Sequence, residues 1–385
     1  MCAECRFHDT PAANSVVGGC GVSETARVLF AGGGTGGHLF PGIAVAERLM
    51  GDVARIGFVG TGSKLERSQA LVRGFDYFDV PAVSSSDLRR RPLRSLWCGW
   101  RSCRRASTVI EQFRPTAVVG LGGYASAPLV WAAFRRRIPI TLLEQNVVPG
   151  RATRLLSRWA DRVCVSFEET QHCLPRTRDC RWTGNPVRYC RVDTEKVAGD
   201  SVVLVLGGSQ GARSLNGAMP EVLAKCLVVP SGWQVVHQCG RGDTAAIRRA
   251  YRAAGVRARV EPFLENVQQW LESADLVVAR AGATTLAEMA CAGSTGIVVP
   301  YPLATDNHQR ANAMWYVRRG AARIVEETSG RDALIEGLVR EVGVLLGSRE
   351  DRRRLGEAMR NISQPDAAAA VASVLSEDLS VLKAA

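Results

Sequence analysis

The sequence RVLFAGGGTGGHLFPG at residues 27–42 runs from an apolar stretch through a cluster of glycines and into a region of helical spacing. The apolar residues before the glycines predict a buried strand, and those that recur over residues 41–50 predict a helix. Glycines between a strand and a helix let the backbone approach a phosphate group, and the helix N-terminus offers unpaired N–H groups. We therefore expect this stretch to open a doubly wound α/β domain.

The same order of strand, glycine loop and helix returns at residues 201–212, SVVLVLGGSQGA. Short apolar runs also alternate with amphipathic stretches along the rest of the chain. Strands are predicted at residues 27–30, 55–59, 117–119, 140–143, 202–206, 235–237, 276–278 and 297–299, and helices at residues 41–50, 284–292 and 332–346. Because strands that alternate with helices pair in parallel, the sequence predicts two Rossmann-like doubly wound parallel-sheet domains facing a cleft.

Length and composition agree with this architecture. The chain has 385 residues, enough for two or three domains of about 150 residues each. Hydrophobic residues make up 46% and charged residues 22%, which excludes wholesale disorder. We expect a disordered extension over residues 1–26, domains over residues 27–187 and 188–360, and a C-terminal helix over residues 361–385 that packs back on the first domain.

The first residues contain no apolar run after a basic start, so they do not form a signal peptide, and we expect a cytosolic protein. The twelve cysteines are then expected to be reduced and mostly buried. Cys2 and Cys5 have metal-binding spacing, but without a second such pair they do not predict a zinc site. Residues 115–134 carry no charge, yet Pro128 and several glycines interrupt them, so no transmembrane segment is expected.

The first glycine loop formally matches the dinucleotide pattern G-x-G-x-x-G through Gly32, Gly34 and Gly37. An NAD site also needs an acidic residue at the end of the second strand to bind the ribose. Residues 60–62 read Gly-Thr-Gly at that position. The sequence therefore disfavours a dehydrogenase.

Six short motifs follow one another along the chain. They are GGTGGHLFPG at residues 33–42, GGY at 122–124, EQN at 144–146, GNPVR at 184–188, GGSQGA at 207–212, and DNHQ at 306–309 with NA at 312–313. In this order they resemble the motifs of the MurG-type glycosyltransferases of bacterial cell-wall synthesis. Enzymes of that family transfer N-acetylglucosamine from UDP-N-acetylglucosamine to a lipid-linked muramyl-pentapeptide.

The resemblance implies a GT-B architecture and an inverting transfer to the 4-hydroxyl of the muramyl sugar, which converts lipid I to lipid II. It implies that the first domain faces the acceptor and the membrane, and that the second binds the UDP-sugar. The implied partners are UDP-N-acetylglucosamine, undecaprenyl-diphosphate-linked muramyl-pentapeptide and an anionic membrane surface, and not nucleic acid. The implied location is peripheral, at the cytoplasmic face of the cell (inner) membrane.

The sequence contains no D-x-D, the carboxylate pair with which many metal-dependent transferases hold a divalent ion. We therefore expect no metal and no cofactor, with donors of the protein itself neutralising the departing UDP. The helix that begins at Ala283 and Thr284 is the best candidate to bind the diphosphate. By resemblance, Glu288 on the same helix reaches the ribose hydroxyls.

The resemblance also assigns the rest of the donor site. Arg188 and the backbone of Leu264 hold the uracil, Ser209 lies against the phosphates, and Asn146 and Gln309 bind hydroxyl or acetamido groups of the sugar. The full expected donor set is Thr35, Gly36, Gly37, Asn146, Arg188, Ser209, Leu264, Ala283, Thr284, Thr285, Leu286, Ala287, Glu288 and Gln309.

A transferase of this kind also needs a base for the acceptor hydroxyl. His38 ends the first glycine loop, where it would face the cleft, and an imidazole can take a proton near neutral pH. A helix-capping role for His38 is the alternative. Glu144 and Tyr124 are the next candidates for the base.

A basic and aromatic stretch lies at residues 89–105, in a chain of formal net charge +12. Its charged and aromatic members are Arg89, Arg90, Arg91, Arg94, Trp97, Trp100, Arg101, Arg104 and Arg105. Such a mixture suits a surface that lies on anionic lipid headgroups, and the lipid-linked acceptor of the family favours this interpretation. Nucleic-acid binding and a simple solvated helix face are the alternatives.

Two departures from the family pattern affect the C-terminal half. Ala281 stands where the family usually has serine, which removes a possible hydroxyl donor near the phosphates, and Ser294 and Thr295 replace a small residue and proline. The competing functions are a UDP-N-acetylglucosamine epimerase, a glycosyltransferase with another lipid acceptor, and a nucleic-acid-binding module.

Overall fold

The computed structural model describes residues 23–33, 36–81, 92–174, 179–187, 201–208, 211–226, 232–242, 244–327 and 330–384. Side chains at residues 23–25, 92–96 and 380–384 lie outside this description. The same holds for Cys2, Cys5 and most of the predicted N-terminal extension. The first strand, however, begins at Ser23, so the predicted extension over residues 1–26 overlaps the sheet.

Seven parallel strands form the first sheet. They are β1 (Ser23–Ala31), β2 (Val53–Gly60), β3 (Asp76–Asp79), β4 (Ala117–Gly120), β5 (Ile140–Glu144), β6 (Arg162–Val165) and β7 (Asp179–Trp182). Their order is β3-β2-β1-β4-β5-β6-β7, so the chain changes its direction of winding at β1. The first glycine loop therefore lies at a topological switch point, where ligands bind in doubly wound sheets.

Five described α-helices cover this sheet. They are α1 (Gly36–Leu49), α2 (Lys64–Leu71), α3 (Pro92–Phe113), α4 (Ala127–Arg135) and α5 (Arg151–Leu156). A 3-10 turn at Glu168–Cys173 precedes β7. Helix α1 begins five residues earlier than predicted, because Pro41 is tolerated in its second turn and Gly36 and Gly37 already take part in the helix.

Six parallel strands form the second sheet in the order β10-β9-β8-β11-β12-β13. The strands are β8 (Ser201–Leu206), β9 (Trp233–Gln238), β10 (Ala258–Glu261), β11 (Leu276–Arg280), β12 (Gly296–Val299) and β13 (Ala322–Ile324). The helices are α6 (Arg213–Cys226), α7 (Thr244–Ala253), α8 (Val267–Ser273), α9 (Ala283–Ala292), α10 (His308–Arg318), α11 (Arg331–Gly347) and α12 (Arg349–Asn361). A 3-10 turn at Thr305–Asn307 precedes α10. The predicted fold of two doubly wound parallel-sheet domains is confirmed.

The chain then returns to the first domain. Helix α13 (Ala367–Ala384) places Val371 and Leu375 in the same buried cluster as Val28 and Phe30 of β1. This cluster also contains the apolar face of α1. The last helix thus contributes to the hydrophobic core beneath the first glycine loop.

The cysteines differ from expectation. None of the eight described cysteines forms a disulfide, but only Cys164 and Cys239 are buried, while Cys173 is exposed. The prediction that they are mostly buried is therefore wrong for the described part of the chain, where five of the eight are half-buried. Within that part, no helix combines the length and the apolar character needed to cross a membrane.

Candidate active site

The two switch points face each other across a cleft between the domains. The hydroxyl of Thr284, at the N-terminus of α9, donates to the carbonyl oxygen of Gly37 in α1 over 3.0 Å. The side chain of Asn312 in α10 joins the loop after β5, where it accepts from the backbone of Val147 and donates to Oδ1 of Asn146, both over 3.0 Å. The first glycine loop, the N-terminus of α9 and the loop after β5 therefore border one interdomain site.

His38 lies in the first turn of α1, half-buried, with Nδ1 3.2 Å from Oε1 of Gln145. The amide nitrogen of Gln145 donates to the carbonyl of Leu121, so its oxygen faces the imidazole and accepts from Nδ1–H. In the neutral ring this leaves the lone pair on Nε2, which has no hydrogen-bond partner among the described residues. The histidine is thus in the tautomer that a proton acceptor at Nε2 requires.

The turn at Gly122 and Gly123 packs against the imidazole ring of His38. Both glycines have positive φ, 89° and 73°, and a Cβ at Gly122 would lie 3.3 Å from the imidazole of His38. A side chain at Gly122 would therefore be strained in its backbone and would crowd the ring. The GGY motif follows from the close approach of its backbone to His38.

Glu144 has surroundings that do not fit a base. It is buried at the end of β5, and its carboxylate accepts three hydrogen bonds, from N and Nδ2 of Asn146 and from the backbone of Gly150, each over 3.0 Å. A buried carboxylate that already accepts from these three donors is not presented to a substrate hydroxyl. The sequence-based suggestion that Glu144 is an alternative base is not supported, because the residue orders the loop between β5 and α5.

Tyr124 is 43% exposed, next to the turn that supports His38. Its hydroxyl has no hydrogen-bond partner among the described residues. It therefore remains accessible beside the turn that supports His38.

Helix α9 presents its N-terminus to the cleft. Gly282 is the N-cap, without a side-chain cap, and the first intrahelical bond runs from the amide of Leu286 to Gly282 over 3.0 Å. The N–H groups of Ala283, Thr284 and Thr285 precede that bond, at the positive end of the helix dipole. This end of α9 can bind an anion without a metal.

The other α9 residues of the expected donor set differ in position. Leu286 is fully buried in the core, and its amide donates to Gly282, so its role in donor binding stays a prediction. Ala287 and Glu288 are half-buried on the neighbouring face.

The two amide side chains expected to bind the sugar are both engaged. Asn146 donates to Glu144 and accepts from Asn312, so its carboxamide bridges the two domains. Gln309 accepts from the backbone of Tyr301 over 2.9 Å through Oε1, which leaves its amide donors for other partners. Leu264 is buried in the second domain, so only its backbone could contact the uracil.

Several expected residues lie outside the description of the structure. They are Thr35, Arg188, Ser209, Arg89, Arg90 and Arg91, and for Arg94 only the backbone is described. Of the glycines that open α1, Gly36 is buried and Gly37 is exposed.

Sequence reasoning assigned no role to Asp306 and Asn312, although both belong to a quoted motif. Asp306 binds Arg151 and Arg154 of the first domain, over 2.9 Å and 2.7 Å. The hydrogen bond from Arg151 lowers the pKa of Asp306. Asp306 and Asn307 both have positive φ, 50° and 56°, which directs this turn toward the other domain. The DNHQ motif was visible in the sequence, but its partners in the first domain were not.

Neither departure from the family pattern leaves a buried polar group unpaired. Ala281 is fully buried, and its carbonyl accepts from Asn312 over 3.4 Å. The hydroxyl of Ser294 donates to Leu271 over 2.9 Å, and that of Thr295 to Arg352 over 2.8 Å.

Helix α3 carries the basic and aromatic surface. Trp97 and Trp100 are 56% and 57% exposed, with the guanidinium of Arg101 5.5 Å from the centroid of Trp97 and that of Arg104 4.8 Å from that of Trp100. Arg105 is exposed and donates to the carbonyl of Asp79. The opposite face of α3 is buried in the first domain through Ala106, Val109, Ile110 and Phe113.

Sequence reasoning missed a second aromatic cluster near this helix. Trp131, Phe134 and Trp159 contact one another with ring centroids 4.9–5.9 Å apart, and Phe134 is 42% exposed. Arg136, just after α4, binds Glu111 of α3 over 2.6 Å. The exposed aromatic residues of α3 and α4 thus belong to neighbouring helices. Within the described part of the chain, no three side chains of His, Cys, Asp or Glu are grouped to hold a metal ion.

Comparison with known proteins decides the family. The glycosyltransferase family 28 N-terminal domain matches residues 28–165, and its C-terminal domain matches residues 202–368. Over 362 residues the chain is 39% identical to the UDP-N-acetylglucosamine--N-acetylmuramyl-(pentapeptide) pyrophosphoryl-undecaprenol N-acetylglucosamine transferase of Desulfotalea psychrophila, covering 90% of this chain and 95% of that protein. The chain belongs to the MurG-type family of glycosyltransferases. The resemblance found in the six motifs is confirmed.

Other members and solved structures agree. The protein of the same name from Thermodesulfovibrio yellowstonii is 37% identical, with 88% of this MurG-type chain and 95% of that protein covered. MurG of Acinetobacter baumannii has a crystal structure that matches with a TM-score of 0.71 at 29% identity, over 91% of this chain and 99% of that one. The UDP-GlcNAc 2-epimerase of Neisseria meningitidis matches with a TM-score of 0.62 at 13% identity, over 92% of this chain and 99% of that one, which shows a shared fold alone.

Proposed function

We propose that this protein transfers N-acetylglucosamine from UDP-N-acetylglucosamine to the 4-hydroxyl of undecaprenyl-diphosphate-linked N-acetylmuramyl-pentapeptide, with inversion at the anomeric carbon. The observation that carries the proposal is the meeting of α1 and α9 across the cleft, where Thr284 and Gly37 are in hydrogen-bond contact. A base on the first domain then stands opposite an anion-binding helix end on the second. The names of the relatives support this choice of donor and acceptor.

On the donor side, the N-terminus of α9 stabilises the diphosphate as it departs. One well-aimed donor at developing charge contributes about 3 kcal/mol to the transition state. The three N–H groups of Ala283, Thr284 and Thr285 thus act in place of a divalent ion. Glu288, one turn further along α9, holds the ribose hydroxyls.

On the acceptor side, His38 removes the proton of the 4-hydroxyl through Nε2. The bond between the 4-oxygen and the anomeric carbon forms as the bond to the UDP oxygen breaks, and the proton goes to the imidazole. Gln145 fixes the tautomer through Nδ1. Tyr124 is the remaining alternative base, since the carboxylate of Glu144 is buried among donors.

The sugar lies between the two domains. Gln309 uses its amide donors for hydroxyl or acetamido oxygens, and Asn146 exchanges its contact with Asn312 for one with the sugar when the donor enters. The backbone of Leu264 and the side chains of Arg188, Ser209 and Thr35 complete the donor site in this proposal, as the family resemblance implies.

The surface of α3 holds the enzyme at the cytoplasmic face of the cell membrane. Trp97 and Trp100 insert at headgroup level while the arginines beside them contact anionic lipids. The residues 27–187 thus serve the membrane and the acceptor, and residues 188–360 serve the donor. A lipid-linked acceptor makes this location necessary, because its sugar stays close to the bilayer.

The test is release of UDP from UDP-N-acetylglucosamine by the full chain, with and without a soluble analogue of the lipid-linked acceptor, in the presence of EDTA. Acceptor-dependent release that survives EDTA supports the proposal. Conversion of UDP-N-acetylglucosamine to its epimer without acceptor would indicate an epimerase. Release of UDP only with a different lipid acceptor would show that the proposed acceptor is wrong. A requirement for a divalent ion with the soluble analogue would overturn the metal-independent step.

A further inference from the structure

A chain of buried polar groups crosses the interior of the second domain. The hydroxyl of Tyr251 in α7 lies 2.9 Å from Nδ1 of His237 in β9, and Nε2 of the same ring lies 3.0 Å from Oδ1 of Asn216 in α6. The amide nitrogen of Asn216 then donates to the carbonyl of Cys239 over 2.9 Å. His237 is fully buried, and the other two side chains of the chain are buried as well.

The donors and acceptors fix one direction for this chain. The amide nitrogen of Asn216 is used by the carbonyl of Cys239, so its oxygen faces His237 and accepts from Nε2–H. The neutral ring then has its lone pair on Nδ1, where it accepts from the hydroxyl of Tyr251. Burial keeps the imidazole neutral, since it lowers the pKa of His237 to about 4.

The chain ends against the second glycine loop. The amide of Gly207 donates to the carbonyl of Gln238 over 2.9 Å, and a Cβ at Gly211 would lie 2.6 Å from the carbonyl oxygen of Cys239. Gly211 also has a φ of 79°, so the loop turns sharply where it meets this carbonyl. The backbone of residues 238–239 therefore contacts both described ends of the loop, Gly207 and Gly211.

We propose that Asn216, oriented by His237 and Tyr251, is a positioning residue for Gly207 and Gly211, the described glycines that flank the expected phosphate contact of the second glycine loop. The inference rests on the proposed function, in which this loop contacts the UDP-sugar. Asn216 orients the carbonyl of Cys239, against which Gly211 packs, and thereby positions Gly211 without touching the donor. Its role is to preorganise the loop, so that donor binding does not have to order it.

A purely structural role would use these positions differently. Buried polar side chains cost free energy unless each is paired, and an apolar side chain at residue 216 would pack against the sheet without that requirement. The side chains of Tyr251, His237 and Asn216 are all hydrogen-bonded here. The last acceptor of this series, the carbonyl of Cys239, contacts a loop and not a helix end. The two roles differ in what a substitution changes, since a structural group affects stability alone.

The experiment measures the dissociation constant for UDP-N-acetylglucosamine by calorimetry, the donor and acceptor KM, and the Tm of the full chain. For Asn216→Ala we expect the dissociation constant and the donor KM to rise about tenfold, with the acceptor KM within about twofold of wild type. The matched control is Thr295→Val, which removes a hydrogen bond of a buried hydroxyl immediately before β12 of the same sheet. It should lower the Tm with donor binding unchanged.

A second pair keeps the inference testable if Asn216→Ala does not fold. His237→Gln retains an N–H donor near the Nε2 position and should bind UDP-N-acetylglucosamine as wild type does. His237→Leu should lose about tenfold in affinity for UDP-N-acetylglucosamine. Wild-type donor binding in Asn216→Ala or in His237→Leu overturns the inference, as does an equal loss in Thr295→Val. A wild-type chain that does not bind UDP-N-acetylglucosamine overturns the proposed function instead, and with it the loop's role.

Discussion

The hydroxyl of Thr284 donates to the carbonyl oxygen of Gly37, 3.0 Å away on the other side of the cleft. In a regular helix that carbonyl would accept from the backbone N–H of residue 41, but residue 41 is proline and has none. Pro41 therefore leaves a carbonyl within α1 available to the second domain. A residue inside one helix thus makes possible a contact between two domains.

Removing this contact should weaken the association of the two domains at the cleft. Thr284→Val leaves the Gly37 carbonyl without its partner, at a cost of about 1 kcal/mol, so the donor KM should rise roughly fivefold. Pro41→Ala should act in the same direction, because the new N–H competes for the same carbonyl. Steady-state kinetics with varied donor concentration measure both effects. A donor KM unchanged in both variants would contradict a role for this interdomain contact in donor binding.

His38→Ala should lower turnover by about 10² to 10⁴, the usual contribution of a general base, with the affinity for UDP nearly unchanged. Turnover is measured with the soluble acceptor and affinity by calorimetry. Tyr124→Phe is the matched variant, and it should keep most of the activity. If the two results are reversed, the base is Tyr124.

Glu288→Ala should weaken UDP binding by about 1.5 to 3 kcal/mol, the cost of losing hydrogen bonds to a charged group. Calorimetry with UDP measures this directly. Glu336→Ala removes an exposed carboxylate from α11 of the same domain and serves as the control for charge. Equal UDP affinity in Glu288→Ala and wild type would remove the ribose role.

The membrane surface should respond to charge and to aromatic residues separately. Each arginine near an anionic surface contributes about 1 kcal/mol, so changing Arg89, Arg90, Arg91 and Arg94 to Gln should cost up to about 4 kcal/mol of vesicle binding. High salt should mimic that variant, since the attraction decays within a Debye length. Trp97→Ala and Trp100→Ala should remove a part that salt leaves intact, because the burial of their rings is apolar.

The measurement is co-sedimentation with anionic vesicles beside a gel shift with duplex DNA at physiological salt. Changing four exposed arginines of the second domain, Arg249, Arg252, Arg257 and Arg349, to Gln controls for net charge and should leave vesicle binding nearly intact. Tight DNA binding without vesicle binding would assign the surface of α3 to nucleic acid.

The buried imidazole of His237 makes stability depend on pH. Burial lowers its pKa from 6.5 to about 4, so between these values the unfolded chain binds a proton that the folded chain does not. Folding stability should therefore fall as the pH decreases through this window, by at most about 1.4 kcal/mol per pH unit. Urea midpoints across the window measure it. His237→Gln should flatten the dependence, and an equally steep fall in that variant would assign it to other groups.

Local sequence patterns were sufficient for most of the fold. The eight predicted strands all lie within observed ones, because apolar β-branched runs in a parallel sheet are buried on both faces. Five described strands were missed. Four of them, β3, β7, β10 and β13, lie at the sheet edges and are mostly half-buried, so their side chains do not have the apolar pattern of central strands. The fifth, β6, is an interior strand of only four residues that begins with arginine.

The site divides in the same way. The glycine loops, His38 and the start of α9 were visible in the sequence, because glycines after a strand and a helix N-terminus are local features that carry their chemistry with them. The burial of Glu144, the bridge from Asn146 to Asn312 and the ion pair of Asp306 with Arg151 were not. The two interdomain contacts join residues more than 150 positions apart, and only the packing of one domain against the other brings their donors and acceptors together. The sequence by itself thus determined the two parallel sheets and the ends of their strands where chemistry occurs. Tertiary structure decided which side chains there are already paired and which remain to meet a substrate, since hydrogen-bond partners are set by proximity in space and not along the chain.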